Sequence, residues 1–224
     1  MLALKDQLRV IEALRTGVAA GRTYTDVLFL IGLKEIGGDS AHWEQIQTTY
    51  SDGDVPLWLK QLGDLMDPHV AVLVRLGINL NAGQLNLSPA ARFVHLLMRH
   101  DGLGQFQRNA ATLKGELATL EALKLCGRTG AYEQCFDLLA EYKILGHTEP
   151  WQTAARALRG DRVSAAILVQ FTTPLLSAPV GQLLSDGAQF SFGGGEEAFD
   201  PAIDYLHTAI QRAAFVNDRE PAAA

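Results

Sequence analysis

Six histidines, two cysteines and a pair of glutamates beside a glycine run are the side chains of this chain best suited to chemistry. The histidines form no HExxH motif. His95 and His100 are five apart, which turns them to different faces of a helix instead of offering two metal ligands together. His95 and His207 stand at matching places in two similar stretches, so they could meet across a pseudo-dyad as a metal or pH-sensitive pair. The plainer reading gives each imidazole a backbone carbonyl as its partner. Gly193, Gly194 and Gly195 are followed by Glu196 and Glu197, whose carboxylates repel phosphate, so this segment reads as a loop and not a phosphate cradle. Cys126 and Cys135 have no further thiols at metal spacing and read as core residues. A nucleophilic role would need a base that the sequence does not identify. GxSxG is absent as well. The residues therefore predict a protein that is not an enzyme, with no catalytic, cofactor-binding or metal-binding residue. For an all-helical enzyme or ligand-binding bundle, the candidates on chemistry alone would be His95, His207, Asp161 and Glu121. Trp43 and Trp151 also stand at matching places. Each either anchors a partner or caps the core of its own half. Trp43, Trp151, His95 and His207 are accordingly the candidate partner-binding residues.

The composition defines the scaffold that must position them. With 224 residues, 48% hydrophobic and 20% charged, the chain is one large or two small globular domains and neither disordered nor fibrous. Lys and Arg number 19 against 25 Asp and Glu, for a net charge of −6, which argues against a nucleic-acid partner. Two cysteines cannot build a disulfide framework, and their scarcity points to a reducing cytoplasm. At the N-terminus, Lys5, Asp6, Arg9, Glu12 and Arg15 interrupt any secretory leader, while Leu4, Leu8, Ile11 and Leu14 recur at helical spacing. Residues 163–185 carry no charge and are long enough to cross a bilayer. However, Pro174, Pro179, Gln170, Gln182, Thr172 and Thr173 predict two short buried helices joined around Pro174 and no transmembrane segment.

Self-similarity organises the rest. SPAARFVHLLMRH from Ser88 aligns with DPAIDYLHTAIQR from Asp200: each begins with an N-cap residue and a proline at the first helical position. LRVIEALR from Leu8 matches LATLEALK from Leu117, and GRTYTDVLFLI from Gly21 matches GAYEQCFDLLA from Gly130. Trp43 pairs with Trp151, Gly53-Asp54 with Gly160-Asp161, and Pro68 with Pro174. The shared order predicts an internal duplication. The expected fold is all-α: two tandem antiparallel helical bundles, residues 1–103 and 104–224, the second with a frayed C-terminal tail. Helices are predicted near 3–16, 25–36, 41–50, 56–65, 68–76 and 89–100, then 105–126, 132–145, 149–159, 163–171, 175–185 and 200–216. Gly37-Gly38, Gly77, Gly127, Gly146 and Gly160 are the expected stops, and Gly115 a weak point in the long helix.

Several of these pieces carry a family resemblance: LRVIEALRTG, SDGDVPLWLKQL, PHVAVLVRLG and SPAARFVHLLMRH in the first half, then LATLEALKLCG, RGDRVSAAILVQF, PVGQLLSDG and DPAIDYLHTAIQRA in the second. Their order resembles the cytoplasmic domains of type II secretion F-proteins and type IV pilus inner-membrane platform proteins, helical bundles present twice per chain. Gly77 is followed by Ile78 and Gly187 by Ala188 where that family has glutamate, so its acidic-turn metal contact is not carried over. The family's transmembrane helices have no counterpart. The resemblance implies a non-enzymatic assembly or scaffold protein, cytoplasmic or peripheral to the inner membrane, that binds the assembly ATPase or another platform subunit. Fused repeats would mimic a dimer of single domains, and a homo-oligomer is a further expectation. The alternative is a generic α-helical adaptor, because LCGRTGAYEQCFDLLAEYKILG looks like one tetratricopeptide-type unit. A true array would repeat it every 34 residues or so, and no such recurrence is found.

Overall fold

In the computed structural model the described residues are 1–37, 40–79, 84–100, 107–158, 165–190 and 196–217, and they are overwhelmingly helical. The fold is all-α, with one two-residue antiparallel pairing of Ile78 with Leu85 and Asn79 with Gln84. The chain divides into two units, Met1–Arg99 and His100–Ala224.

Unit 1 contains α1 (Leu4–Ala19), α2 (Tyr24–Leu33), α3 (Ser40–Ser51), α4 (Val55–Asp64), α5 (Pro68–Gly77) and α6 (Ser88–His100). Their starts follow from local chemistry. Thr23 and Asp26 form a reciprocal capping box at α2, the Asp54 carboxylate accepts from the Leu57 amide at α4, and the Asp67 carboxylate accepts from the His69 amide at α5. One stripe of α1 (Val10, Ile11, Leu14) is buried, as are Val27, Leu28 and Ile31 of the neighbouring α2 and Val70 to Val74 of α5. Trp58 of α4 is fully buried and its ring lies against Tyr24 and Tyr50, at centroid separations of 5.3 and 4.9 Å.

Unit 2 contains α7 (Gln107–Thr129), α8 (Tyr132–Glu141), α9 (Glu149–Ala157), α10 (Ala165–Thr172), α11 (Ala178–Phe190) and α12 (Asp200–Asn217). Short 3-10 turns at Ile144–Gly146, Thr173–Leu175 and Glu196–Phe199 join some of them. The charge-free stretch is broken around Pro174, because proline removes a helix hydrogen bond and clashes with the preceding turn. Among the described residues no helix is long and apolar enough to cross a membrane.

Helix α7 is the single long helix expected over this segment, and at Gly115 the missing Cβ admits the Leu145 side chain; a methyl there would lie 2.6 Å from Leu145 Cδ2. Two details differ from expectation. The same helix continues past Gly127 and ends before Gly130, which takes the left-handed conformation (φ 71°) that glycine adopts without strain. Pro174 lies in the turn before α11, so the helix start corresponding to Pro68 is Ala178-Pro179. Gly38 and Gly160 lie outside the described residues.

Two buried polar contacts occur in both units. Trp43 Nε1 donates to the Ile36 carbonyl at 2.8 Å, and Trp151 Nε1 to the Ile144 carbonyl at 2.9 Å. The turns offering those carbonyls share unusual backbone: Glu35 and Lys143 precede them at φ 48° and 51°, and Gly37 and Leu145 follow at φ 82° and 59°. The second contact joins the first helix of each unit to the start of the fifth. Gln7 Oε1 accepts from the Asp67 amide at 3.1 Å while its Nε2 donates to the Leu2 carbonyl at 2.8 Å. In unit 2, Glu116 Oε1 accepts from the Ser177 amide. Both side chains are buried, and Glu116 Oε2 has no hydrogen-bond partner among the described residues. Gly77 and Gly187 add a third parallel: a Cβ on the first would meet the Asn86 carbonyl oxygen at 2.5 Å, and on the second would overlap the Ala198 carbonyl.

Removing a buried hydrogen-bond partner costs roughly 1–3 kcal/mol. Gln7→Ala is therefore expected to lower unfolding free energy by about that amount in urea titrations. Glu116→Gln keeps an acceptor for Ser177, so it is expected to leave stability within about 1 kcal/mol of the wild type. A loss as large as that of Gln7→Ala would contradict this account of Glu116.

Candidate interaction site

A groove of about 770 Å³ lies open between α1 and α2 of unit 1. Its floor is built from small residues on one side and branched ones on the other. Ala13 and Gly17 of α1 and Ala20, which caps it, face Val27, Leu30 and Ile31 of α2, with Ile36 beyond. Gly17 sets the depth of approach, because a side chain there would overlap Val27. Arg9, Arg22 and Lys34 stand on the rim with Glu12 as the one carboxylate among the described lining residues. Arg9 pairs with Asp6 at 3.2 Å and Glu12 with Arg15 at 2.7 Å, each within its own helix, and such exposed pairs contribute little to stability.

The corresponding surface of unit 2 is covered. The match of LRVIEALR with LATLEALK places Arg9, Glu12, Ala13, Thr16 and Gly17 against Ala118, Glu121, Ala122, Leu125 and Cys126. All five unit 2 residues are buried, whereas Arg9 and Thr16 are exposed and Glu12, Ala13 and Gly17 half-buried. Helix α12 is held along α7 by an ion pair of Lys124 with Asp200, and His207 Nε2 lies 3.8 Å from Glu121 Oε1. Ala202, Ile203, Leu206 and Ile210 form its buried stripe. Lys124 matches Arg15, whose guanidinium in unit 1 turns to Glu12 of its own helix.

The structure places the four candidate partner-binding residues unequally. Trp43 and Trp151 are 2% and 0% exposed, with their indole N–H groups bonded internally, so they pack the cores of their units and offer no face to a partner. His95 is exposed on α6, and half-buried His207 approaches Glu121. Of the residues considered for a helical enzyme, His207 and Glu121 are brought together, His95 lies in the other unit, and Asp161 falls outside the described residues, as does the 193–195 glycine run. No group of three His, Cys, Asp or Glu side chains able to hold a metal occurs among the described residues.

Cys126 and Cys135 are both buried and face each other across the α7–α8 turn. Burial, with the neighbouring Cys126, holds the Cys135 thiol well above its ordinary range, which keeps it the unreactive thiol and not the nucleophilic thiolate. Tyr132 beside them is pushed up to about 12, first by burial and then by the charges that Cys126, Cys135 and Glu196 can carry. Sequence reasoning found the helices that line the groove but not the groove itself, since exposure of one helix face depends on what fails to cover it.

Compared with protein-family models, curated proteins and solved structures, the chain matches none of them.

A phenol whose native pKa exceeds its unfolded value stabilises the fold fully below the unfolded pKa, and that contribution disappears as pH rises through the native one. Stability is therefore expected to fall between pH 10 and about 12, more steeply in the wild type than in Tyr132→Phe. Identical alkaline slopes would contradict the burial of this hydroxyl. Both thiols are also expected to resist Ellman's reagent until the protein is unfolded.

Proposed function

We propose that this chain is a non-enzymatic helical scaffold built from two copies of one bundle framework, and that it works by holding a protein partner on the surface where the copies differ. The observation that carries the reading is the α1–α2 groove, open in unit 1 while the corresponding α7 positions of unit 2 are buried. Shared internal contacts support a common framework: the tryptophan indoles on the Ile36 and Ile144 carbonyls, and Gln7 and Glu116 on the amides that begin α5 and α11. Cys126 and Cys135 are buried, and burial keeps Cys135 the thiol. The resemblance to secretion and pilus platform domains makes the assembly ATPase, or another platform subunit of such a machine, the first partner to examine.

The test mixes the purified full chain with purified subunits of a type II secretion or type IV pilus machine and measures mass by light scattering after size exclusion. A stoichiometric complex with the ATPase or a platform subunit is expected. Failure to associate with every subunit would overturn this assignment of the partner.

A further inference from the structure

We propose that the α1–α2 groove of unit 1 is a docking site for an acidic amphipathic helix of a partner protein, which would cover α1 as α12 runs along α7 in unit 2. This rests on the scaffold reading but names the surface and the chemistry of its occupant. Two independent observations select that occupant. The first is the corresponding surface. In unit 2 the α7 residues that match the α1 side of the groove are buried, and α12 is fixed at their edge by an acidic residue at its own start, Asp200 on Lys124. The apolar stripe that follows, Ala202, Leu206 and Ile210, has the four-residue spacing that a helix lays into a groove. Arg15, the residue of α1 that matches Lys124, pairs with Glu12 of its own helix and would exchange that partner for a carboxylate of the incoming helix.

The second observation is charge. The described groove lining carries Arg9, Arg22 and Lys34 against Glu12, with Asp6 paired to Arg9 and Asp26 acting on Arg22, so Lys34 and Arg22 are the cations a partner would meet. A helix with carboxylates in its first turns complements that rim, and the attraction screens with salt. Charge also separates the two closing helices. Helix α6 has Arg92 and Arg99 and no carboxylate, and none of its residues is among the described lining of the groove. Helix α12 begins with Asp200 and carries Asp204 one turn later. The helix that sequence similarity would place on α1 thus has the wrong charge for it. The floor supplies the apolar part of the site: Ala13, Gly17 and Ala20 permit close approach of a helix backbone, and Leu30 and Ile31 meet its branched side chains.

The probe is a fluorescein-labelled peptide of residues 198–212, AFDPAIDYLHTAIQR, titrated with the full chain and followed by fluorescence anisotropy. Saturable binding is expected, weakening at least ten-fold between 50 and roughly 500 mM salt. It should weaken at least ten-fold again in Arg22→Glu, Lys34→Glu and Leu30→Glu, each checked for native helicity by circular dichroism. Lys60→Glu, an exposed change on α4, should leave binding unchanged. A peptide carrying Asp200→Lys and Asp204→Lys should bind at least ten-fold more weakly. No binding to the wild type, or binding indifferent to the three groove changes, would overturn the proposal. So would groove-dependent binding to phosphatidylserine vesicles without peptide binding, which would make the surface a lipid contact. A machine-subunit complex that forms equally well with all three groove variants would sink this inference alone and leave the scaffold reading standing.

Discussion

A helix that begins inside a protein brings backbone N–H groups with no partners in the preceding turn, and each must find an acceptor or carry a desolvation penalty. At the starts of α5 and α11 the acceptor for one of them comes from another helix. Gln7 reaches the Asp67 amide, and Glu116 reaches the Ser177 amide. Each contact spans about sixty residues of sequence. It ties the first helix of a unit to the fifth and so fixes which face of α1 or α7 points inward. The hydrophobic stripe supplies most of the energy, about 25 cal/mol per Å² buried. Burial is non-directional, however, and does not choose a rotation about the helix axis by itself. A buried amide or carboxylate with one acceptable partner does choose, because every other rotation leaves it unsatisfied.

The tryptophan indoles act in the same way on the turn after α2 and α8. The Trp43 and Trp151 indole N–H groups, at 2% and 0% exposure, donate to the Ile36 and Ile144 carbonyls, each presented by a turn with left-handed residues on either side. Leu145 accepts that conformation without being glycine, at a cost on the order of 1–2 kcal/mol, and its side chain fills the space that Gly115 leaves open. With such constraints holding both interiors, the surfaces are free to diverge. The α1–α2 groove is open where the matching α7 residues are covered, and the scaffold reading attaches function to that difference.

Much of the helical layout was legible because local rules govern it. Thr23, Asp54 and Asp67 signal their helix starts by type and position, and Pro56 and Pro68 sit in first turns. The pairing of Trp43 with Trp151 pointed to matching places, and both turn out to be core residues. Gln7 and Glu116 were not legible as partners of distant amides, because one is an amide and the other an acid and nothing nearby in sequence marks either. Gly115 reads as a weak point and Gly127 as a stop, yet they allow close packing against Leu145 and Glu196, which only tertiary structure reveals. The groove was hidden for a related reason: Ala13, Gly17 and Leu30 look like core residues until the helix that would cover them is seen to be elsewhere.

The claim beneath all of this is that one buried hydrogen-bond framework holds both units. Native-state hydrogen exchange, read at the Trp43 and Trp151 indole N–H groups and at the Asp67 and Ser177 amides, tests it most directly. All four are expected to exchange only through opening of the unit that contains them, at rates near those of the slowest core amides of that unit. Fast exchange of either member of a matched pair while its unit stays folded would contradict the account.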